Sequence, residues 1–244
     1  MPPGSPRPSR SPWAGTWWAA PPAPRWSLLA LDPLLPARTA PRGPDIAGTL
    51  RDAAGDGMGT GLAHGASGVG LALAEAGFHD DAAAVFAAED AHFDRHAGNW
   101  RDLRRARTLP VPSYACAWCH GAPGMALARV RAAEAGVAVA AEPVAAGLAT
   151  AAAHAAASLA ATGADLSLCH GAGGLAEVLA LAGDTGPRQR WALAVAGEVA
   201  DGVPVRCGLP GGRSLGLMTG LAGVVHTLVR TAVPHTPPVL LPRP

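Results

Sequence analysis

The chain contains no lysine. All 19 basic side chains of its 244 residues are arginine, set against 18 acidic ones for a formal net charge of +1. Such a balance gives no lopsided field to recruit nucleic acid or a membrane surface. Aromatic residues are scarce, with three Phe and one Tyr, and runs of β-branched residues are missing, so no strand pattern competes with a helical one. No stretch approaches the length of a membrane span once glycines, prolines and charges are counted. A secretory signal is also missing, because the apolar stretch 27–31 is soon interrupted by Pro33 and Pro36. The chain therefore reads as cytoplasmic, and its cysteines as thiols rather than disulfides. Its lysine-free, Ala/Arg/Gly/Pro-rich usage suggests a GC-rich bacterial genome.

What is present is unevenly spread. Residues 1–44 hold 12 of the 24 prolines and four of the seven tryptophans, a composition that favours an extended or disordered arm. The remainder, 45–244, reads as one alanine-rich helical domain, since alanine is the best helix former.

Within that domain one short motif recurs. Cys119-His120-Gly121 and Cys169-His170-Gly171 carry the same three letters, and each is followed by a second glycine, Gly124 and Gly174. Two further copies lack the cysteine: His64-Gly65-Ala66-Ser67-Gly68 and Thr219-Gly220-Leu221-Ala222-Gly223. The first glycines stand at 65, 121, 171 and 220, in steps of 56, 50 and 49 residues. A period of roughly 50 residues holds about two helices and their loops. After each glycine pair comes a run that is apolar nearly all round, which predicts a buried inner helix. The more charged segments at about 80–97, 142–161 and 187–201 predict an outer layer. Gly-x-x-Gly at a helix start permits an unusual lead-in turn and lets one helix approach its neighbour closely.

The chemistry sits in the residues just before each inner helix, all predicted at one end of the assembly. Cys119, Cys169 and His170 offer soft and borderline donors suited to Zn2+. Three protein ligands leave a fourth tetrahedral position open, the pattern of a catalytic site. Cys116 forms a Cys-x-x-Cys pair with Cys119 and offers two competing readings, a closed four-ligand structural site or packing with no metal. A redox role for that pair would need a thioredoxin-like βαβ context, which the pattern lacks. His79, His92, His96, His154, His226 and His235 match no motif and read as surface or packing residues. Cys207 reads as a non-ligand.

Trp118-Cys119-His120-Gly121-Ala122-Pro123-Gly124, then Ser167-Leu168-Cys169-His170-Gly171, then Gly216-Leu217-Met218-Thr219-Gly220-Leu221-Ala222-Gly223 resemble the lanthionine synthetase C (LanC-like) family. The wording is most similar to the C-terminal cyclase domain of class II lanthipeptide synthetases, and the ending from Val233 to Leu241 resembles their short tail. The resemblance covers about residues 57–244. It implies an all-α fold, an α/α toroid of alternating inner and outer helices around zinc, here partial with about four helix pairs. The implied reaction is the addition of a peptide cysteine thiol to dehydroalanine or dehydrobutyrine, giving a thioether ring. Its metal ligands would be Cys119, Cys169 and His170. By the same resemblance His64 would supply the proton or activate the acceptor, with His120 as a secondary acid or substrate contact. The partner would be a dehydrated precursor peptide, supplied by a separate dehydratase.

The chain also departs from the family's pattern. A complete domain carries about seven helix pairs, whereas four copies are clear here, and an inner-helix aspartate near the zinc finds no counterpart. Gly43-Pro44-Asp45 only faintly resembles the family's lead-in to its first hairpin. An arginine expected near Ala115 is missing, with Arg107 the nearest substitute. Arg101, Arg104, Arg105 and Arg107 form a cluster, readable as a solvated loop or as a site for an acidic leader peptide. Two other functional classes compete: an inactive zinc-binding remnant that binds precursor or a synthetase, and an α/α-barrel glycoside hydrolase. The hydrolase would require paired acids at the active end, and none of the four motif copies supplies them.

Overall fold

Each copy of the repeat becomes a helix whose N-cap is the first glycine of that copy. The computed structural model describes residues 58–103, 111–161, 163–208 and 214–241. The proline-rich arm, Gly43-Pro44-Asp45 and the arginines at 104, 105 and 107 lie outside the described residues. Four inner helices, α1 (Ala66–Glu75), α3 (Ala122–Glu134), α5 (Ala172–Leu181) and α7 (Leu221–Ala232), begin after Gly65, Gly121, Gly171 and Gly220. Three outer helices alternate with them: α2 (His79–Asp90), α4 (Ala141–Ala160) and α6 (Gly186–Ala200). The fold is all-α, as the sequence led us to expect.

Packing follows the same alternation. Helix α1 touches α3, α3 touches α5 and α5 touches α7, while α2 packs on α1, α4 on α3 and α5, and α6 on α5 and α7. Two inner helices bury every residue over their first two turns, from Ala122 through Arg129 in α3 and from Ala172 through Leu179 in α5. The outer helices bury only a stripe at i, i+4 spacing, such as Pro143, Gly147, Ala151 and Ala155 in α4. Helix α7 is less covered: Val225 and Val229 are exposed, as is Leu193 of the neighbouring α6.

The starts of the inner helices have no side-chain caps. Their orphan amides are satisfied by the lead-in loop folding back. Ala66 N donates to Gly59 O at 2.9 Å, Ala172 N to Asp165 O at 2.8 Å and Leu221 N to Ser214 O at 2.9 Å. In the α3 copy a side chain bridges the same gap: Asn99 Nδ2 donates to Ala115 O at 2.9 Å, and its Oδ1 accepts from Ala122 N at 2.8 Å.

This fold-back is what the glycines permit. A Cβ on Gly121 would lie 1.8 Å from Ala115 O, and on Gly171 2.4 Å from Asp165 O. The second glycine of each pair is as tightly placed, with Gly124 at 1.8 Å from Trp118 O and Gly174 at 1.9 Å from Leu168 O. Their main role is thus to admit their own loop. Close approach between copies is secondary, seen where Gly223 meets the Leu168 side chain at 3.1 Å.

Helix ends are equally regular. Gly77, Gly136, Gly183 and Gly202 take positive φ just past α1, α3, α5 and α6. Each time the next residue's amide reaches back to close a Schellman motif, as in Val137 N to Ala132 O at 2.9 Å.

Three features differ from the sequence expectations. The first outer segment stops at Asp90, and a two-stranded antiparallel hairpin follows, β1 (Phe93–Asp94) and β2 (Asn99–Trp100). Trp100 is buried there, edge-on to Phe93. Secondly, α4 is long and apolar enough to cross a membrane by length and composition. Its hydropathy comes from alanine, and it packs against α3 and α5. The third is the count: four inner but three outer helices among the described residues.

The C-terminal segment is part of the core. Leu240 is buried against Leu127 of α3, Val178 of α5 and Leu168, with Trp118 at the edge of the same cluster.

The loop contacts predict a contrast between two glycines. Gly124→Ala should lower unfolding free energy by about 3 kcal/mol, the upper end of overpacking costs. Gly197→Ala, in the last turn of α6 with nothing within 4 Å of the new methyl, should raise it by about 0.5 kcal/mol. Urea midpoints at unchanged m-value would measure both.

Candidate metal centre

Because each lead-in loop folds back on the start of its own helix, equivalent residues arrive at the same end of adjacent helices. Immediately before the N-cap glycines stand His64, His120, His170 and Thr219, and one step earlier Ala63, Cys119, Cys169 and Met218. Backbone bonds join neighbouring copies at that earlier step, Ala63 N to Cys119 O at 3.0 Å and Cys169 N to Met218 O at 2.8 Å.

Cys119, Cys169 and His170 converge. One ligand atom from each lies within 4.8 Å of the other two, and among the described residues this is the group of His, Cys, Asp and Glu so placed to hold a metal ion. Cys119 is buried, Cys169 half-buried and His170 exposed, so the group is walled on one side and open on the other. The adjacent residues Cys169 and His170 both reach it because they precede the helix rather than lie in it.

The electrostatics of the two thiols bear on what fits between them. The Cys169 thiol is held well above its usual range, first by its hydrogen bond with Cys119, then by burial and by negative charge on Cys119 and Asp165. Two sulfurs this close resist losing both protons. A divalent cation between them would reverse that preference, since a metal-coordinating thiol is deprotonated outright. The donor set therefore fits a metal of borderline-soft character.

Cys116 stands apart from this group. It packs against Ala151, Ala155, Leu175 and Leu179, and burial pushes its thiol up to about 12. The geometry thus brings together the three-ligand set without the fourth thiol weighed for a closed site. Cys207 is buried in the cluster formed by α5, α6 and α7, and its thiol is raised by burial and by Asp165.

His64 is exposed and lines an open depression with Met58, Leu62 and Val69. His120 is 2% exposed, and the two rings lie 6.5 Å apart between centroids, tilted by 40°. His120 Nε2 lies 3.1 Å from Oδ1 of Asp102, itself buried. Asp102 gave no signal in the sequence, because the contact spans 18 residues of sequence and follows no spacing rule.

The His64 loop is held from below by a buried ionic network. Glu89 of α2 accepts bonds from Gly61 N at 2.9 Å, Ser67 N at 3.1 Å and the Ser67 hydroxyl. Arg129 of α3 pairs with Glu89 at 3.0 Å and Asp90 at 2.7 Å, with the Phe86 and Trp100 rings on its flanks. Neither Glu89 nor Arg129 was singled out from the sequence. A lone acid on an outer helix and a lone arginine in an apolar run give no local signal of pairing.

Three measurements test this geometry. Elemental analysis should find one metal equivalent in the native protein, lost in Cys119→Ala, Cys169→Ala and His170→Ala but kept in Cys116→Ala. Cys116 should also resist alkylation in the folded protein. Its thiol stays protonated to about 12 in the fold against 9.0 when unperturbed. That difference contributes stability below pH 9 which is lost as pH rises towards 12, and a pH series on wild type and Cys116→Ala isolates it.

A family model described as lanthionine synthetase C-like protein matches residues 51–241 of the chain. The match takes in all four copies and the three converging donors. No curated protein matches the chain.

Proposed function

We propose, on the premise that the chain belongs to the lanthionine synthetase C-like family, that it is a zinc-dependent thioether cyclase acting on dehydrated peptides. The observation that carries this reading is the convergence of Cys119, Cys169 and His170 within 4.8 Å at the open end of the inner helices. Two thiolates and an imidazole are a zinc set with one tetrahedral position left for substrate. In this reading the two layers of helices form an arc of an α/α toroid related to the cyclase domain of class II synthetases.

The reaction joins a peptide cysteine to a dehydroalanine or dehydrobutyrine. A new S–Cβ bond forms, the π electrons move to Cα as an enolate, and a proton is then delivered to Cα. Zinc, when bound, keeps the incoming thiol deprotonated near neutral pH. The chain's own residues do the rest. Buried Cys119 anchors the inner side of the site, while exposed His170 leaves its outer side accessible to a peptide. His64 stands at the same end, in reach of solvent, and supplies the Cα proton, recharging from water after each turnover. His120 supports it from behind.

The partners in this reading are a dehydrated precursor and a separate dehydratase, in a reducing cytoplasm that keeps the thiols available. Nucleic acid and membrane are not among them, given a net charge of +1.

Addition leaves the peptide mass unchanged, so the assay reads loss of free thiol. Incubation of zinc-loaded protein with a dehydrated, cysteine-containing precursor should yield a product that no longer takes up N-ethylmaleimide. His64→Asn should keep its zinc and lower kcat by about 100-fold or more, the usual scale for a lost general acid. Uptake of the label at the uncatalysed rate with wild-type, zinc-loaded protein would refute the cyclase reading.

A further inference from the structure

In the reaction above His120 only backs His64 and the buried Asp102 beside it has no part, yet the pair abuts the loop that carries His64. Both side chains are almost fully enclosed, at 4% and 3% exposure, and Nε2 and Oδ1 are 3.1 Å apart. An ionised carboxylate only accepts, so the ring nitrogen facing it is the one that carries hydrogen. The other edge of the ring, with Nδ1, is turned to Gly61. A Cβ there would lie 2.6 Å from Nδ1 and 3.0 Å from Cε1, and Gly61 has a φ of +132°.

Gly61 opens the turn that ends in His64. Its amide is held by Glu89 at 2.9 Å, and its neighbour Thr60 donates its hydroxyl to Arg101 O at 2.6 Å. Asp102 N in turn donates to Ser113 O at 2.8 Å. The strand of chain at 101–102 therefore ties the first copy of the repeat to the second, once through Thr60 and once through His120.

We propose that Asp102 is a positioning residue for the cyclisation, acting through His120. It accepts the Nε2–H, fixes the plane of the ring against Gly61, and so sets where His64 stands relative to the thiols of the next two copies. Carboxylates that orient an imidazole in this way at other sites alter activity by about 10–100-fold when removed. The inference rests on the cyclase reading for its catalytic consequence, but the orientation of His120 is measurable without any turnover.

The test uses full-length protein labelled with 15N-histidine, zinc-loaded and held at one pH, with the His120 signals assigned by His120→Gln. Wild type should show His120 protonated at Nε2. In Asp102→Asn the amide can donate to Nε2 and shift the proton to Nδ1, as the corresponding substitution does in an acid–histidine pair. That variant should retain its zinc and melting temperature while kcat falls about tenfold or more and KM stays within a factor of about two. Asp102→Glu, which keeps the acceptor, should recover the Nε2–H signal and part of the rate. The proposal is overturned by a wild-type His120 protonated at Nδ1, or by an Asp102→Asn variant that cyclises at the wild-type rate. Equal losses in the Asn and Glu variants with lowered melting would also overturn it, by assigning Asp102 to packing alone. Wild-type protein that leaves the precursor uncyclised would refute the cyclase reading instead, and the 15N spectra would still decide the orientation of His120.

Discussion

The structure depends on a steric vacancy repeated four times. At the start of each inner helix two glycines let a lead-in loop lie directly on the first turn, with loop carbonyls where side chains would otherwise be. A methyl group 1.8 Å from a carbonyl oxygen, as at Gly121 or Gly124, has no relaxed alternative that keeps the loop in place. The same fold-back satisfies first-turn amides that the N-cap glycines cannot cap themselves, with Asn99 standing in at α3. Loop shape, helix start and direction of the preceding residues are thus one constraint.

From that constraint the site follows as variation on a fixed frame. The two positions before each N-cap glycine read Ala-His, Cys-His, Cys-His and Met-Thr along the chain, and backbone bonds hold neighbouring copies in step. The middle copies supply the sulfurs and one imidazole, and the first supplies an exposed histidine. Beneath the first copy, Glu89 and Arg129 are buried together with Ser67 and Asp90. Such a network adds little net stability over an apolar core, but it fixes the loop carrying His64 through three bonds to Glu89. The C-terminal Leu240 packs against Leu168, the residue just before Cys169, so the tail braces the loop that carries Cys169 and His170.

The parts legible in the sequence were those written locally and repeated. Glycine spacing located all four inner helices, which begin three residues ahead of the apolar runs that marked them, and the Cys-His wording located the three donors. The all-apolar runs after Gly124 and Gly174 marked the helices that prove most buried. What escaped was non-local. Asn99 stands in for a missing backbone bond between Ala115 and Ala122, and nothing in its own neighbourhood announces that. Asp102 meets His120 only because the hairpin at 93–100 returns the chain to the first copy. The hairpin was itself hidden inside a segment whose alanines continue a helical pattern until Asp90. The outer helix expected at about 142–161 is there as α4, and what was not foreseen is that its many alanines give it membrane-like length and hydropathy while it buries only a narrow stripe.

The account turns on a three-ligand, open metal centre. X-ray absorption at the zinc edge of the loaded protein tests it most directly. Two sulfurs at about 2.3 Å, one imidazole nitrogen and one further light atom are expected, with the spectrum unchanged in Cys116→Ala. A first shell of three sulfurs and one nitrogen that loses a sulfur in Cys116→Ala would show a closed structural site and contradict the central claim.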